Sequence, residues 1–238
     1  MRNNLATEIQ QQLNDRKFRR LLLAVSGGLD SICLAHYFIA NRDVLGIEWL
    51  GIAHVNHGLR AGSADLDEKL VRDFAAANGI PFFCAHLDGA ALKSAEGSLE
   101  ENARDARYDA LRHFAEEAFA DAILTAHHAG DQAETVYMRL TRGTTLAGLR
   151  GMQSIRQTAK TPIYRPFLNI NREELRHYAR ENSLTWREDE SNTDTKFTRN
   201  LVRQKSLPAL EETNTGALAQ LSRIATLADN AHHKAIEV

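Results

Sequence analysis

The chain is predicted to be an α/β protein: a doubly wound parallel sheet with helices on both faces, followed by a smaller, mainly helical segment. Three observations lead there. The run LLLAV at 21–25 is apolar throughout, as a strand covered on both faces must be, and it stops at once in Ser26, Gly27 and Gly28. Strand-like runs then alternate with helix-like ones to about residue 140, the pattern of right-handed βαβ crossovers. From Thr141 the alternation ends, and Gly143, Gly148 and Gly151 punctuate the chain. The expected division is one domain over residues 1–140 and a second over 141–238.

Element by element, a polar helix is expected over 3–14, ahead of the first strand. Residues 29–40 have apolar side chains at helical spacing, 47–55 form a second strand, and 65–78 a helix closed by Gly79. A third strand follows at 81–86. Ser98 with Glu101 makes a capping box that opens a long helix through Tyr108, Leu111 and Phe114. Residues 122–126 read as a fourth strand and 131–140 as its helix. Beyond the break, 152–163 suggests a hairpin, 172–181 a helix, 188–198 a polar loop and 218–236 a terminal amphipathic helix. In such sheets ligands gather beyond the carboxyl ends of the strands, where residues 26–31, 54–60 and 125–134 are expected.

At 238 residues the chain has no need of disulfides or metals to complete a core. Its two cysteines, Cys33 and Cys84, lie far apart inside apolar runs and read as reduced core thiols. No apolar run is long enough to span a bilayer and the N-terminus is polar, so the expectation is a cytoplasmic protein with no membrane partner. The net charge of −2 conceals an asymmetry: residues 1–138 carry 13 Lys and Arg against 20 Asp and Glu, whereas 139–203 carry 13 against 7. The basic stretch is mostly arginine, the side chain suited to bidentate phosphate contact. A solvated, salt-bridged surface accounts for such a run equally well.

Ser26-Gly27-Gly28-Leu29-Asp30-Ser31 lies between a strand and a helix. The glycines let backbone N–H groups approach an anion at the positive end of that helix, with two hydroxyls alongside. No lysine follows, so this is not the GxxxxGK[ST] loop, and Asp30 calls for a Mg²⁺ ion between itself and a phosphate. A capped strand-to-helix turn is the bland alternative. His127-His128-Ala129-Gly130-Asp131 offers a second carboxylate to the same ion, or else a helix cap at Asp131. His54, His57, His127 and His128 could instead form a zinc site.

SGGLDS after an apolar strand resembles the pyrophosphate-loop ATP enzymes, whose fold is adenine-nucleotide alpha-hydrolase-like. In order along the chain come His54-Val55-Asn56-His57-Gly58-Leu59-Arg60, Ala103-Arg104-Asp105-Ala106-Arg107-Tyr108, and Thr125 to His128 running on to Glu134-Thr135. Arg142-Gly143, Arg165-Pro166-Phe167-Leu168, Asp189-Glu190-Ser191-Asn192 and Arg199-Asn200-Leu201-Val202-Arg203 complete the series. Together they resemble the tRNA(Ile)-lysidine synthetase family, over about residues 21–210.

That resemblance implies an enzyme that uses ATP and Mg²⁺ to adenylate the wobble cytidine of an isoleucine tRNA, after which free L-lysine displaces AMP to give lysidine. It implies that Ser26, Gly27, Gly28, Leu29, Asp30 and Ser31 bind the nucleotide, that Asp30 and Asp131 bind the metal, and that Arg104, Arg107 and Arg199 contact phosphate or adenylate. Surface or ion-pair roles are the alternative for each arginine. Asp189, Glu134, His127 and His128 are candidates for the lysine amine, and residues 139–203 for the anticodon loop. A homodimer is compatible with the resemblance. The chain departs from the family in having Gly130 where an acid is common. It also ends at Val238, where longer members continue into further tRNA-gripping domains, so a compact form or a fragment is expected. The alternatives are another pyrophosphate-loop tRNA modification such as cytidine thiolation, which usually needs clustered cysteines, and a non-catalytic nucleotide-binding module.

Overall fold

A computed structural model describes residues 4–58, 62–188 and 198–236. The chain falls into two compact units: 1–126 with 155–166 and 175–187, and 127–154 with 167–174 and 188–238.

The first unit is built on the sheet. Strands β1 (Arg20–Ala24), β2 (Trp49–Asn56), β3 (Phe82–His86) and β4 (Ala122–Leu124) are all parallel, and a hairpin of β5 (Ile155–Arg156) and β6 (Ile163–Tyr164) is added beside β4. The order is β3-β2-β1-β4-β6-β5, so the winding reverses between β1 and β4. That reversal is the switch point of a doubly wound sheet. β6 pairs parallel with β4, so the parallel sheet continues past residue 141, where the alternation in the sequence stops. Strands of two residues carry no periodicity for a sequence to display.

Helix α1 (Leu5–Arg16) precedes β1, and α2 (Leu29–Ala40), α3 (Ser63–Ala77), α4 (Gly89–Ser94) and α5 (Leu99–Glu117) connect the first four strands. Leu22, Ala53 and Ile123 meet Tyr108, Leu111 and Ala115 of α5 on one face. Leu21 and Leu23 point to the opposite face by strand alternation and are equally buried, so that face is covered too. The capping box is present in half: Ser98 Oγ accepts the Glu101 N–H at 3.2 Å. α1, polar by composition, buries the stripe Leu5, Ile9 and Leu13.

The second unit is helical. α6 (Ala129–Arg142) and α7 (Leu146–Leu149) lead to α9 (Thr198–Leu201), a π-helical turn (Val202–Ser206), α10 (Leu207–Thr213) and α11 (Ala217–Ile236). Its core is Ala133, Val136, Val202, Leu207, Leu221 and Ala225. The remaining helix, α8 (Arg172–Glu181), is shared between the units. Among the described residues no helix is long and apolar enough to cross a membrane.

Candidate functional site

In the first unit, β1 ends in a tight loop. Val25 N–H donates to the Ala53 carbonyl at 2.9 Å, and Gly27 then adopts φ +94°, where an L side chain is strained. Gly28 is the N-cap of α2 and supplies no side chain to cap it, so the first N–H groups of the helix border the loop. Ser31 Oγ donates to the Gly28 carbonyl at 2.9 Å and accepts the Ser26 N–H at 3.1 Å, while the two serine hydroxyls lie 3.2 Å apart. Asp30 stands in the first turn of α2, next in sequence to Ser31, and its carboxylate is a donor suited to a hard cation such as Mg²⁺. Leu29 is buried in the core, so only its backbone N–H is available to a ligand.

Two supports of this loop lay outside the sequence reading. Arg187 N–H donates to the Gly27 carbonyl at 3.0 Å, and its Nε reaches Asp67 Oδ1 at 2.6 Å. Nothing in the spacing of Arg187 marks it. His54 lies within β2 rather than beyond it, and its buried ring donates from Nδ1 to the Val25 carbonyl at 2.8 Å. Burial lowers the pKa of His54, so the neutral ring braces the loop. Gly58 N–H donates to Asn56 Oδ1 at 3.0 Å, closing the end of β2. Leu59, Arg60 and the stretch from Asp189 to Asn192 lie outside the described residues.

Arg104 and Arg107 sit on α5 with their guanidinium carbons 5.8 and 5.1 Å from the Tyr108 ring centre. Arg165, from the Arg165-Pro166-Phe167-Leu168 motif, is buried against the same tyrosine. Burial pushes the Tyr108 pKa up, but Arg107, Arg165 and Arg104 outweigh it and the net direction is down. Three cations around one phenol make this part of the first unit attractive to an anion.

In the second unit, His128 and Asp131 form a capping box at the start of α6. The His128 Nδ1 accepts the Gly130 N–H at 2.9 Å, and Asp131 Oδ2 accepts the His128 N–H at 3.0 Å. A Cβ on residue 130 would lie 2.7 Å from the His128 ring, which gives Gly130 a physical reason: it leaves room for the capping imidazole. Nδ1 of both His54 and His128 is committed to backbone groups, which leaves only the Nε2 atom of each ring for a metal.

The other Asp131 oxygen, Oδ1, takes Arg199 at 3.2 Å and Arg203 at 3.0 Å; the same guanidiniums hold Glu134 through Nε at 2.7 and 2.5 Å. Burial raises the pKa of Asp131, but His128, Arg199 and His127 more than reverse this, so the carboxyl stays ionised far below its usual range. Arg203 belongs to the same Arg199–Arg203 motif, whose sequence singles out Arg199 alone. Its four-residue spacing from Arg199 was the available signal, since it places both on one helical face.

Much of the basic stretch is thus committed inside the units. Arg139 donates to the Gly148 and Gly151 carbonyls, Arg150 pairs with Asp229 at 2.7 Å, and Arg187, Arg199 and Arg203 pair as above. Arg142, Arg156 and Arg180 are exposed.

A parallel sheet whose first strand turns through a glycine loop into an uncapped helix, at the switch point of its winding, defines an α/β protein built to hold nucleotide phosphates. Residues 1–210 match the PP-loop domain, and the chain belongs to that family. It is 42% identical over 193 residues to the tRNA(Ile)-lysidine synthase of Chlorobaculum tepidum, covering 81% of this chain and 57% of that protein. It is 38% identical over 205 residues to the bifunctional protein TilS/HprT of Listeria monocytogenes, covering 86% of this chain and 31% of that one. The chain therefore spans about a third to somewhat over half of these curated relatives. Among solved structures, the U34-tRNA thiolase NcsA from Methanococcus maripaludis, with its [4Fe-4S] cluster, superposes with a TM-score of 0.73 at 17% identity, over 94% of this chain and 80% of that one. That likeness is one of fold.

Proposed function

We propose that this chain catalyses ATP-dependent ligation of lysine to C2 of the wobble cytidine in an isoleucine tRNA with a CAU anticodon. The carrying observation is the PP-loop together with the ordered motifs, in a chain 42% identical to a protein named tRNA(Ile)-lysidine synthase. The cytidine C2 oxygen attacks the α-phosphorus of ATP and pyrophosphate leaves. The lysine ε-amine then attacks C2, AMP departs with that oxygen, and the amine gives up a proton. Such chemistry depends mostly on positioning and on offsetting charge.

Within this reading, the N–H groups of Gly27, Gly28 and Leu29 and the hydroxyls of Ser26 and Ser31 hold pyrophosphate. Asp30 holds Mg²⁺, which when bound offsets charge on the phosphates. Asp131 serves as a second metal carboxylate only by exchanging its Arg199 and Arg203 partners, whose charges oppose a cation at Oδ1. Arg104, Arg107 and Arg165 are assigned to adenylate or phosphate, and Arg199 and Arg203 to phosphate. Glu134 is occupied by both guanidiniums, which favours positioning them over accepting the amine proton. His127, His128 and Asp189 are the remaining candidates for the lysine amine. Thiolation with an iron–sulfur cluster calls for a set of cysteine ligands, and this chain has two cysteines, with Cys33 buried.

The test is incubation of the full chain with ATP, Mg²⁺, lysine and an isoleucine tRNA transcript bearing a wobble cytidine, followed by nucleoside mass analysis. The expected result is a cytidine heavier by one lysine less water, AMP release, and at least a hundredfold loss in Asp30→Ala. ATP binding with unmodified tRNA would favour the non-catalytic module, and full turnover by Asp30→Ala would remove the metal assignment.

A further inference from the structure

Glu68, Cys84 and His86 bring a carboxylate oxygen, a sulfur and an imidazole nitrogen to within 4.8 Å of one another. Two periodicities build this convergence. Cys84 and His86 are two residues apart on β3 and so share a face of the strand, and Glu68 comes from α3, which packs against β3. His86 Nε2 lies 2.7 Å from Glu68 Oε2, and Cys84 also hydrogen-bonds to Glu68. Arg72, one helical turn on, holds the other carboxylate oxygen, Oε1, at 2.5 Å, and Asn56 Nδ2 lies 3.5 Å from Oε2. These neighbours fix the carboxylate so that Oε2 faces the sulfur and the imidazole, as partners outside a metal's own ligands commonly do. β3 is the edge strand and the His86 side chain is 64% exposed, so an ion can reach the cluster from solvent.

We propose that Glu68, Cys84 and His86 form a binding site for a thiophilic divalent cation of the Zn²⁺ class, with water as the fourth ligand. A mixed nitrogen, sulfur and oxygen set matches that borderline-soft ion and not Mg²⁺ or Ca²⁺. Metal–ligand bonds of about 2.0–2.3 Å in a tetrahedron set neighbouring donors about 3.4 Å apart. The His86–Glu68 contact therefore opens by several tenths of an ångström, and the cation takes the place of the protons now shared within the cluster. The metal-free alternative is a cluster in which Arg72, His86 and the Cys84 thiol all serve the Glu68 carboxylate. A bound cation ties the edge strand β3 to α3. The site uses no PP-loop residue and stands apart from the proposed reaction.

The experiment titrates the full chain with Co²⁺ and follows thiolate-to-metal charge-transfer absorption, then displaces Co²⁺ with Zn²⁺. The expected result is saturation near one equivalent, loss of the band in Cys84→Ala, and at least tenfold weaker binding in His86→Ala. His86 is exposed, so that variant keeps the fold if Cys84→Ala does not. Zn²⁺ is expected to raise the Tm of the unaltered chain and not of either variant. Absence of a thiolate band, its survival in Cys84→Ala, or unchanged affinity in His86→Ala would overturn the proposal.

Discussion

Replacing Glu134 by glutamine tests whether the ion-pair cluster on α6 stabilises the second unit. The Glu134 side chain is 4% exposed and receives Arg199 Nε at 2.7 Å and Arg203 Nε at 2.5 Å; the two arginine side chains are 25% and 32% exposed. Hydrogen bonds to a charged group contribute about 1.5–3 kcal/mol each, and removing one partner of a buried pair costs about 3–5 kcal/mol. Two features reduce that figure here. Asp131 stays to accept both arginines, and glutamine keeps the volume and one carbonyl acceptor, so no cavity opens. The expected loss is about 2 kcal/mol. For a chain of this length that is a Tm fall of roughly 4–8 °C. Urea denaturation of Glu134→Gln, Arg203→Gln and the double variant isolates the pair, with an expected coupling of about 1–2 kcal/mol. A loss below about 0.5 kcal/mol, or a coupling of zero, would refute the reasoning and reduce the cluster to solvent-screened surface pairs.

Gly27→Ala forces an L residue to φ +94°, so about 1–3 kcal/mol of stability should be lost in denaturant melts along with ATP affinity; unchanged affinity would show that the loop tolerates relaxation. Burial pushes the Glu68 pKa up, but hydrogen bonds from Arg72, His86 and Asn56 outweigh it and hold the carboxyl at about 2. A depressed carboxylate contributes stability that is present above the unfolded value of about 4.3 and lost as pH falls through the folded one, so the melting curve should weaken between about pH 5 and pH 2. In Glu68→Gln that acid limb should flatten, and an identical limb would show that other groups set it. If exposed Arg142, Arg156 and Arg180 meet tRNA phosphates, each change to alanine should lower the slope of log affinity against log salt by about 1; a slope unchanged in all three would exclude them from the interface.

What could be read before the structure was whatever repeats or caps. The uniform burial of Leu21, Leu22 and Leu23 follows from an unbroken apolar run, and Gly28 at the N-cap of α2 from the abrupt glycine pair. α8 runs from Arg172 to Glu181, the span expected from the sequence. The hairpin was legible as a hairpin, but not as the continuation of the parallel sheet, because β5 and β6 are two residues each and register is not written in so short a run. Short helices such as α4, α7 and α9 escaped for the same reason: four to six residues hold too few positions to show a face. The glycine loop after β1 and the cap at Asp131 were visible as motifs. The bracing by Arg187 and His54 depends on contacts between residues 29 to 160 positions apart, which no local pattern records.

The charge asymmetry shows how a correct count can support two physical pictures. A basic stretch following an acidic one suggests a surface for a polyanion. Yet Arg187 pairs with Asp67, and Arg199 and Arg203 pair with Asp131 and Glu134, so acids from the first 138 residues are matched by arginines from the basic stretch. Arginine suits both uses, because one planar fork meets a carboxylate or a phosphate with the same two parallel N–H bonds. Under the proposed function the two uses are alternatives for Arg199 and Arg203: guanidiniums held by carboxylates are aligned in advance, and a phosphate competes for them without having to order free side chains. The carboxylates then tune the site, since a weaker grip by Glu134 leaves the arginines disordered and a stronger one withholds them. That trade predicts that Glu134→Gln separates its effects, costing stability in the melt while changing KM for ATP less than Arg199→Ala does. Equal changes in KM would mean that Glu134 acts on the nucleotide directly and not through the arginines.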